Sequence, residues 1–279
     1  MPPYVIMKGT RTAGIAQPWS APETGRSVCI YPQKAYDVKR HAILFPMRIT
    51  IEQPVLDLFP ELTVGVVVVR GAKNDASHPE IEQLLRKAES DLQAQGIESI
   101  KQHPPIQVWR EAHIKFGNKP DRYAPANQAL GKRVMKGNPL PCINPLFDLL
   151  NVTSIEHLIP IGGEDLRATE GVVRLTRAVG DEQFLELGKE TDEPPEPGEV
   201  IWRDETGVLC RRFNWREADR TKITETTTDA IIVLETLPPV GRDELQLALE
   251  TLAERIRKFT GAETILHTLD HETVSATID

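Results

Sequence analysis

Thr63-Val64-Gly65-Val66-Val67-Val68-Val69-Arg70 decides how the rest of the chain is read. The stretch is β-branched and nearly continuous, with no polar residue inside it. A strand with one wet face alternates apolar and polar side chains; this one reads as a strand covered on both faces. It is also the longest apolar run, far short of the roughly 20 residues a membrane-spanning helix needs. Its neighbours set the fold class. Helical periodicity follows it directly, and short glycine-punctuated strands follow the helices. That segregation points to an α+β protein with mixed, largely antiparallel sheets and packed helices.

Upstream, residues 48–53 alternate as an edge strand would. Downstream, Ser77 and Glu80 read as a capping box. Ile81, Leu84, Leu85, Ala88 and Leu92 then form one apolar stripe, ended by Gly96. A second helix is expected after Pro104-Pro105, with Ile106, Trp109, Ala112, His113 and Phe116 on one face. A third covers about 127–136. Asn144 can cap a fourth, with Pro145 at its favoured first position. Short strands are expected at 172–175, 184–187, 199–203 and 208–212, and a buried strand at 230–235. A helix striped by Leu245, Leu249, Leu252, Ile256 and Phe259 follows, and then a last strand at 264–269. Prolines interrupt every short apolar run in residues 1–46. That segment is expected to be a poorly structured N-terminal extension and 47–279 the folded domain; a biological start at Met47 is the other reading.

Apolar residues make up 40% of the 279 and charged residues 27%, enough for a sizeable core. Cys29, Cys142 and Cys210 are far apart and odd in number, which argues against a disulfide framework and for a reducing cytoplasm. No basic stretch followed by an apolar core opens the chain, so a secretory signal is not apparent. The net charge of −8 disfavours non-specific nucleic-acid binding by the whole surface. The charges are segregated, however. Residues 101–142 hold eight basic side chains against two acidic ones, 211–222 hold five against two, and 181–205 hold ten acidic against two basic. Such a molecule can bind a polyanion with one face, or simply present two solvated surfaces.

Phosphate loops, dinucleotide fingerprints and nucleophile elbows are absent from the sequence. His267 and His271 fall on a strand and a tail, not on one helical face, so no metal is expected there, and no organic cofactor is implied. Three segments concentrate the remaining chemistry. In 109–120, Arg110, Lys115 and Lys119 could reach phosphates, while His113 lies on the apolar side and reads as a satisfied, partly buried histidine. In 140–146 and 160–165, Asn144 opens a helix whose free amides could meet a carboxylate, carbonyl or phosphate. Gly162-Gly163 permits either close ligand approach or a tight turn. In 210–222, Arg211, Arg212, Arg216 and Arg220 can clamp phosphate. Trp215 can stack on a base, and Glu217 or Asp219 can hydrogen-bond a ligand or a water.

Taken in order, these segments resemble the B3/B4 (editing) domain of the phenylalanyl-tRNA synthetase β subunit, especially its stand-alone relatives. The resemblance rests on Trp109-Arg110-Glu111-Ala112, Lys115-Phe116-Gly117, Ile143-Asn144-Pro145, Pro160-Ile161-Gly162-Gly163-Glu164-Asp165, Glu193-Pro194-Pro195-Glu196-Pro197-Gly198-Glu199 and Asn214-Trp215-Arg216 with Asp219-Arg220-Thr221. It covers roughly residues 47–270. In the synthetase this domain hydrolyses tyrosine wrongly esterified to the phenylalanine tRNA. The resemblance therefore implies ester hydrolysis of a mischarged aminoacyl-tRNA. That reaction needs no protein nucleophile, because the ester is already activated.

On that basis Glu217 and Asp219 are the catalytic candidates, and Asn144, Gly162, Gly163, Trp215 and Arg220 would bind substrate. Arg110, Lys115, Arg122, Arg211 and Arg212 would hold RNA. The implied partner is tRNA or aminoacyl-tRNA; no DNA, membrane, metal or cofactor is implied. Two departures stand out. Bacterial editing pockets use a histidine and a glutamate. No histidine lies at 161–165, where it would be expected, and His157 is shifted. The glutamate maps to Glu217 or Asp219. These residues contain no aminoacylation domain. A non-catalytic RNA-binding module, or a binding protein for an amino acid or nucleoside, are the alternatives.

Overall fold

The computed structural model describes residues 47–75 and 78–279; the expected N-terminal extension and the expected cap Ser77 lie outside the described residues. In chain order these residues form β1 (Arg48–Ile51), α1 (Gln53–Leu56), β2 (Thr63–Arg70), α2 (Pro79–Ala94), α3 (Pro104–Lys115), α4 (Ala126–Met135), α5 (Pro145–His157) and β3 (Ile161–Asp165). There follow β4 (Val172–Arg177), β5 (Val200–Arg203), β6 (Val208–Arg211), β7 (Arg216–Glu217), β8 (Ala230–Thr236), α6 (Arg242–Thr260), β9 (Glu263–Leu269) and β10 (Ser275–Thr277). The protein is α+β.

β2 lies inside a four-stranded antiparallel sheet ordered β3-β8-β2-β9. Its valines are buried on both sides, as the unbroken run requires. Val64, Val66 and Val68 enter one core, while Val67 and Val69 enter another. Burying a side chain of this size is worth about 1.5–3 kcal/mol. The glycine in the run has a packing reason. A Cβ on Gly65 would stand 3.0 Å from Leu249 Cδ1 and 3.1 Å from Leu245 Cδ1, so its absence lets α6 settle against the sheet.

The second sheet has six strands ordered β10-β1-β4-β5-β6-β7, antiparallel except where β1 runs parallel to β4. Its inner face supplies Ile49, Val173, Leu175, Trp202 and Leu209 to the core shared with Val64, Val66 and Val68. The opposite face of the four-stranded sheet is covered by α5 and α6. A third core joins α2, α4 and α5 through Leu85, Leu92, Leu130, Val152 and Ile155.

Four local expectations change. Residues 48–53 do not make an edge strand: β1 is paired on both sides, by β10 and β4. The 184–187 stretch makes only isolated bridges, Leu185 with Asp192 and Glu186 with Ala218. Gly162-Gly163 is no tight turn but part of β3, paired with β8. Helix α2 is capped by His78, whose Nδ1 accepts from the Glu80 N–H at 3.3 Å.

Candidate functional site

The site begins at the turn between β6 and β7. Arg212 and Phe213 both adopt positive φ, 50° and 69°. Non-glycine residues in this region cost of order 1–3 kcal/mol each, so the surroundings must hold them there. Phe213 is fully buried, its ring edge-on to Trp109 (4.9 Å) and Phe59 (5.6 Å). The Arg212 N–H donates to Glu199 Oε1 at 3.0 Å. Asn214 enters a buried polar chain described below.

This anchoring leaves Trp215 half-buried on the rim, edge-on to Tyr123 at 4.8 Å and 78°. Arg212 lies 4.0 Å and Arg122 5.0 Å from the centre of the Tyr123 ring; Arg212 and Arg216 lie 5.6 and 5.4 Å from that of Trp215. The basic stretches 101–142 and 211–222, far apart in sequence, thus meet around two aromatic rings.

Beside this rim a cavity of about 30 Å³ opens between the two sheets, room for one or two waters. Gly162, Gly163, Glu164, Trp215, Glu217 and Glu235 line it, with walls from Val173, Leu209, Ile231 and Val233. Glu217 is buried, and its Oε1 accepts a long hydrogen bond from the Gly163 N–H at 3.4 Å. A Cβ at Gly162 would stand 3.3 Å from the same oxygen, so glycine lets the carboxylate come close to the β3 backbone.

Glu235 accepts from Trp202 Nε1 at 2.6 Å and from Asn214 Nδ2 at 2.8 Å. Burial pushes its carboxyl up to about 8, against those two hydrogen bonds. Asn214 Oδ1 lies 3.1 Å from His113 Nε2, and His113 Nδ1 lies 2.6 Å from Asn118 Nδ2. An amide nitrogen can only donate, so the pattern assigns the proton of His113 to Nε2. Donation then runs in one direction, from Asn118 to His113 to Asn214 to Glu235. Burial pushes His113 down to about 4, which keeps it neutral as the chain of bonds demands. Burial, then the charge of Glu217, push Glu164 well above the usual carboxylate range. Cys210 also lines the cavity; burial raises its thiol well above the ordinary value, leaving no thiolate to attack a substrate.

Of the residues expected at the site, Gly162, Gly163, Trp215 and Glu217 come together in the cavity. Asn144 does not: it starts α5, on the other face of the four-stranded sheet, and its Oδ1 caps the Phe147 N–H at 2.9 Å. Asp219 faces an outer groove beside Gln183 and Asp192, where it pairs with Lys222 at 2.7 Å. Arg220 ties two loops together, donating to Ala168 O at 2.5 Å and to Asp204 Oδ1 at 2.8 Å.

The expectation that Arg211 and Arg212 grip RNA is corrected by their burial: they are only 4% and 7% exposed, and both lie against Glu199. Arg110 is held by Gln128 and Asp121, while Lys115 and Arg122 are exposed. Sequence reasoning missed Glu164, Glu235 and Tyr123. An acid inside the apolar run 230–236 was the available signal for Glu235. Among the described residues, no three His, Cys, Asp or Glu side chains stand where they could hold a metal, and no helix is long and apolar enough to cross a membrane.

A family model described as the B3/4 domain matches residues 108–270, more than half of the chain. The comparison with curated proteins finds no match. Among solved structures, an N-terminal fragment of the phenylalanyl-tRNA synthetase beta-subunit from Pyrococcus horikoshii is similar, at 12% identity and a TM-score of 0.42, over 78% of this chain and 50% of that one. The chain spans about half the length of that fragment.

Proposed function

The chain belongs to the B3/4 domain family, and from that membership and the geometry of the cavity we propose that it hydrolyses the ester of a mischarged aminoacyl-tRNA in trans, in the cytoplasm. The observation that carries this reading is the junction of a basic, aromatic rim with a small acidic cavity. Exposed Arg122 and Lys115 would meet phosphates, with the neighbouring half-buried Arg216 adding positive charge. Trp215 and Tyr123 offer ring faces and edges to the terminal adenine. The aminoacyl group would point inward, toward Glu217 and the β3 backbone.

Glu217 then has a defined task. A water in the cavity attacks the acyl carbon, the bond from that carbon to the ribose oxygen breaks, and the water's proton ends on the departing hydroxyl. Glu217 orients that water and takes up its proton in passing. The protein supplies position and electrostatics rather than a covalent intermediate.

The test is to incubate the purified protein with tRNA esterified to tyrosine, its isomers and several other amino acids. Ester loss above the buffer rate on at least one is expected, with Glu217→Gln slowing it by about 10²-fold or more. No ester loss on any of them refutes the proposal. The small enclosed volume favours a second reading, a non-catalytic RNA-binding module. It predicts salt-sensitive tRNA binding with no turnover.

A further inference from the structure

Glu164 has a feature that ester hydrolysis does not use. Its side chain is 8% exposed, it lines the cavity, and its Oε2 has no hydrogen-bond partner among the described residues. Buried polar atoms are almost always paired, so an unused oxygen at a cavity wall calls for a ligand or a water. Glu164 stands two residues from Gly162 on β3, whose missing side chain lets Glu217 approach. The nearby Thr221 hydroxyl favours the charged form, and it too has no described partner. Arg220 and Asp204 act on Glu164 from outside with opposite signs, and are paired with each other. Glu235 does not compete for a ligand, because both of its oxygens are taken by Trp202 and Asn214. Cys210 is a neutral thiol.

An ammonium group suits this corner. It is the size of a water, it brings three donors, and its charge opposes the burial and the Glu217 charge that favour the protonated form of Glu164. The cavity admits the ammonium itself, and the carbon stem would run outward past the valine and isoleucine walls toward the half-buried Trp215. Resting on the reading of this cavity as the amino-acid end of the site, we propose that Glu164, together with Glu217, forms a subsite for a primary ammonium group on a short aliphatic stem. Binding exchanges a proton for the ligand cation: the ammonium enters, and the carboxyl O–H of Glu164 gives its proton to solvent.

The experiment needs no tRNA. Binding of three probes to the full chain is measured by titration calorimetry: L-norleucine amide (α-ammonium only), Nα-acetyl-L-lysine amide (side-chain ammonium only) and the neutral Nα-acetyl-L-norleucine amide. At least one ammonium probe is expected to bind about tenfold or more tighter than the neutral one. Its affinity should rise with pH by up to about tenfold per unit below the Glu164 titration, with release of up to one proton. The probe that binds tells an α-amine from a side-chain amine. Glu164→Gln should weaken binding about tenfold or more and abolish the proton release.

Equal affinity for the neutral probe, no binding of any probe, or proton uptake on binding overturns the proposal. Proton release is measured on the unmodified protein in buffers of different ionisation enthalpy, so a variant that fails to fold does not block the test. Amine binding by a protein without deacylase activity leaves the subsite standing, and ester hydrolysis without amine binding removes only the subsite.

Discussion

Replacing Glu199 by alanine should cost this protein about 3–5 kcal/mol of stability, because it strands two buried arginines. Glu199 is 3% exposed. Its Oε1 accepts from Arg211 Nε at 2.9 Å and from the Arg212 N–H at 3.0 Å; its Oε2 accepts from Arg211 Nη2 at 2.9 Å and stands 3.5 Å from Arg212 Nη1. What would remain is one carbonyl for Arg211, from Glu193, with the Phe184 ring at 5.5 Å, and for Arg212 Asn118 Oδ1 at 3.3 Å, the exposed Glu196 at 4.0 Å and the faces of Tyr123 and Trp215.

Breaking a buried pair from one side costs roughly 3–5 kcal/mol, and the two amides that lose an acceptor, those of Arg212 and Glu196, add about 1–3 kcal/mol each where water does not reach them. Water reaching Arg212 along the exposed Glu196 side offsets part of that, which sets the expectation at the pair value. Measured against a total stability of about 5–15 kcal/mol, this is a large loss. The assay is a urea titration followed by tryptophan fluorescence. Because the same carboxylate holds the strained Arg212 amide, tRNA affinity should fall in step with stability. A loss below about 1 kcal/mol would refute the claim that Glu199 anchors the turn.

Arg122→Ala should do the reverse, weakening tRNA binding and lowering its salt dependence while changing stability by less than about 0.5 kcal/mol in the same titration. Glu235 and His113 impose opposite pH slopes. Glu235 is raised to about 8, so its contribution is full below the usual glutamate range and is lost as pH rises through about 8. His113 is lowered to about 4, so its contribution is full above the usual histidine range and is lost as pH falls toward about 4. Below about pH 6 the two largely cancel. The stability difference between the natural chain and Glu235→Gln should therefore change by up to about 1.4 kcal/mol per unit between about pH 5 and 8, and a pH-independent difference refutes the assignment. Gly163→Ala places a Cβ 2.8 Å from Ile223 Cδ1 and 3.1 Å from Leu150 Cδ2, and should lower thermal stability by the equivalent of about 1–3 kcal/mol. Gly162→Ala meets only the Glu217 carboxylate and Val233, so ester hydrolysis should fall more than the melting temperature.

The sequence by itself determined the helices and the buried strand. Apolar period, cap and stop residues act within a few positions of one another, so α3, α4, α5, α6 and β2 could be read where they stand. It also named the cluster around Trp215 and Glu217, because such a density of arginine, aromatic and acidic side chains is unusual on any local reading.

Only the tertiary structure decided which face each side chain serves. Asn144 and Trp215 both read as site residues, yet the four-stranded sheet separates them. Glu217 and Asp219 were interchangeable in sequence, and the fold turns the first into the cavity and the second to an outer groove. Arg211 and Arg212 read as an exposed phosphate clamp and instead became buried partners of Glu199. Local pattern reports how strongly a residue prefers apolar or polar surroundings. Whether a charge finds water or a buried counter-charge depends on segments that meet only after the sheets pair, and no local period records that meeting.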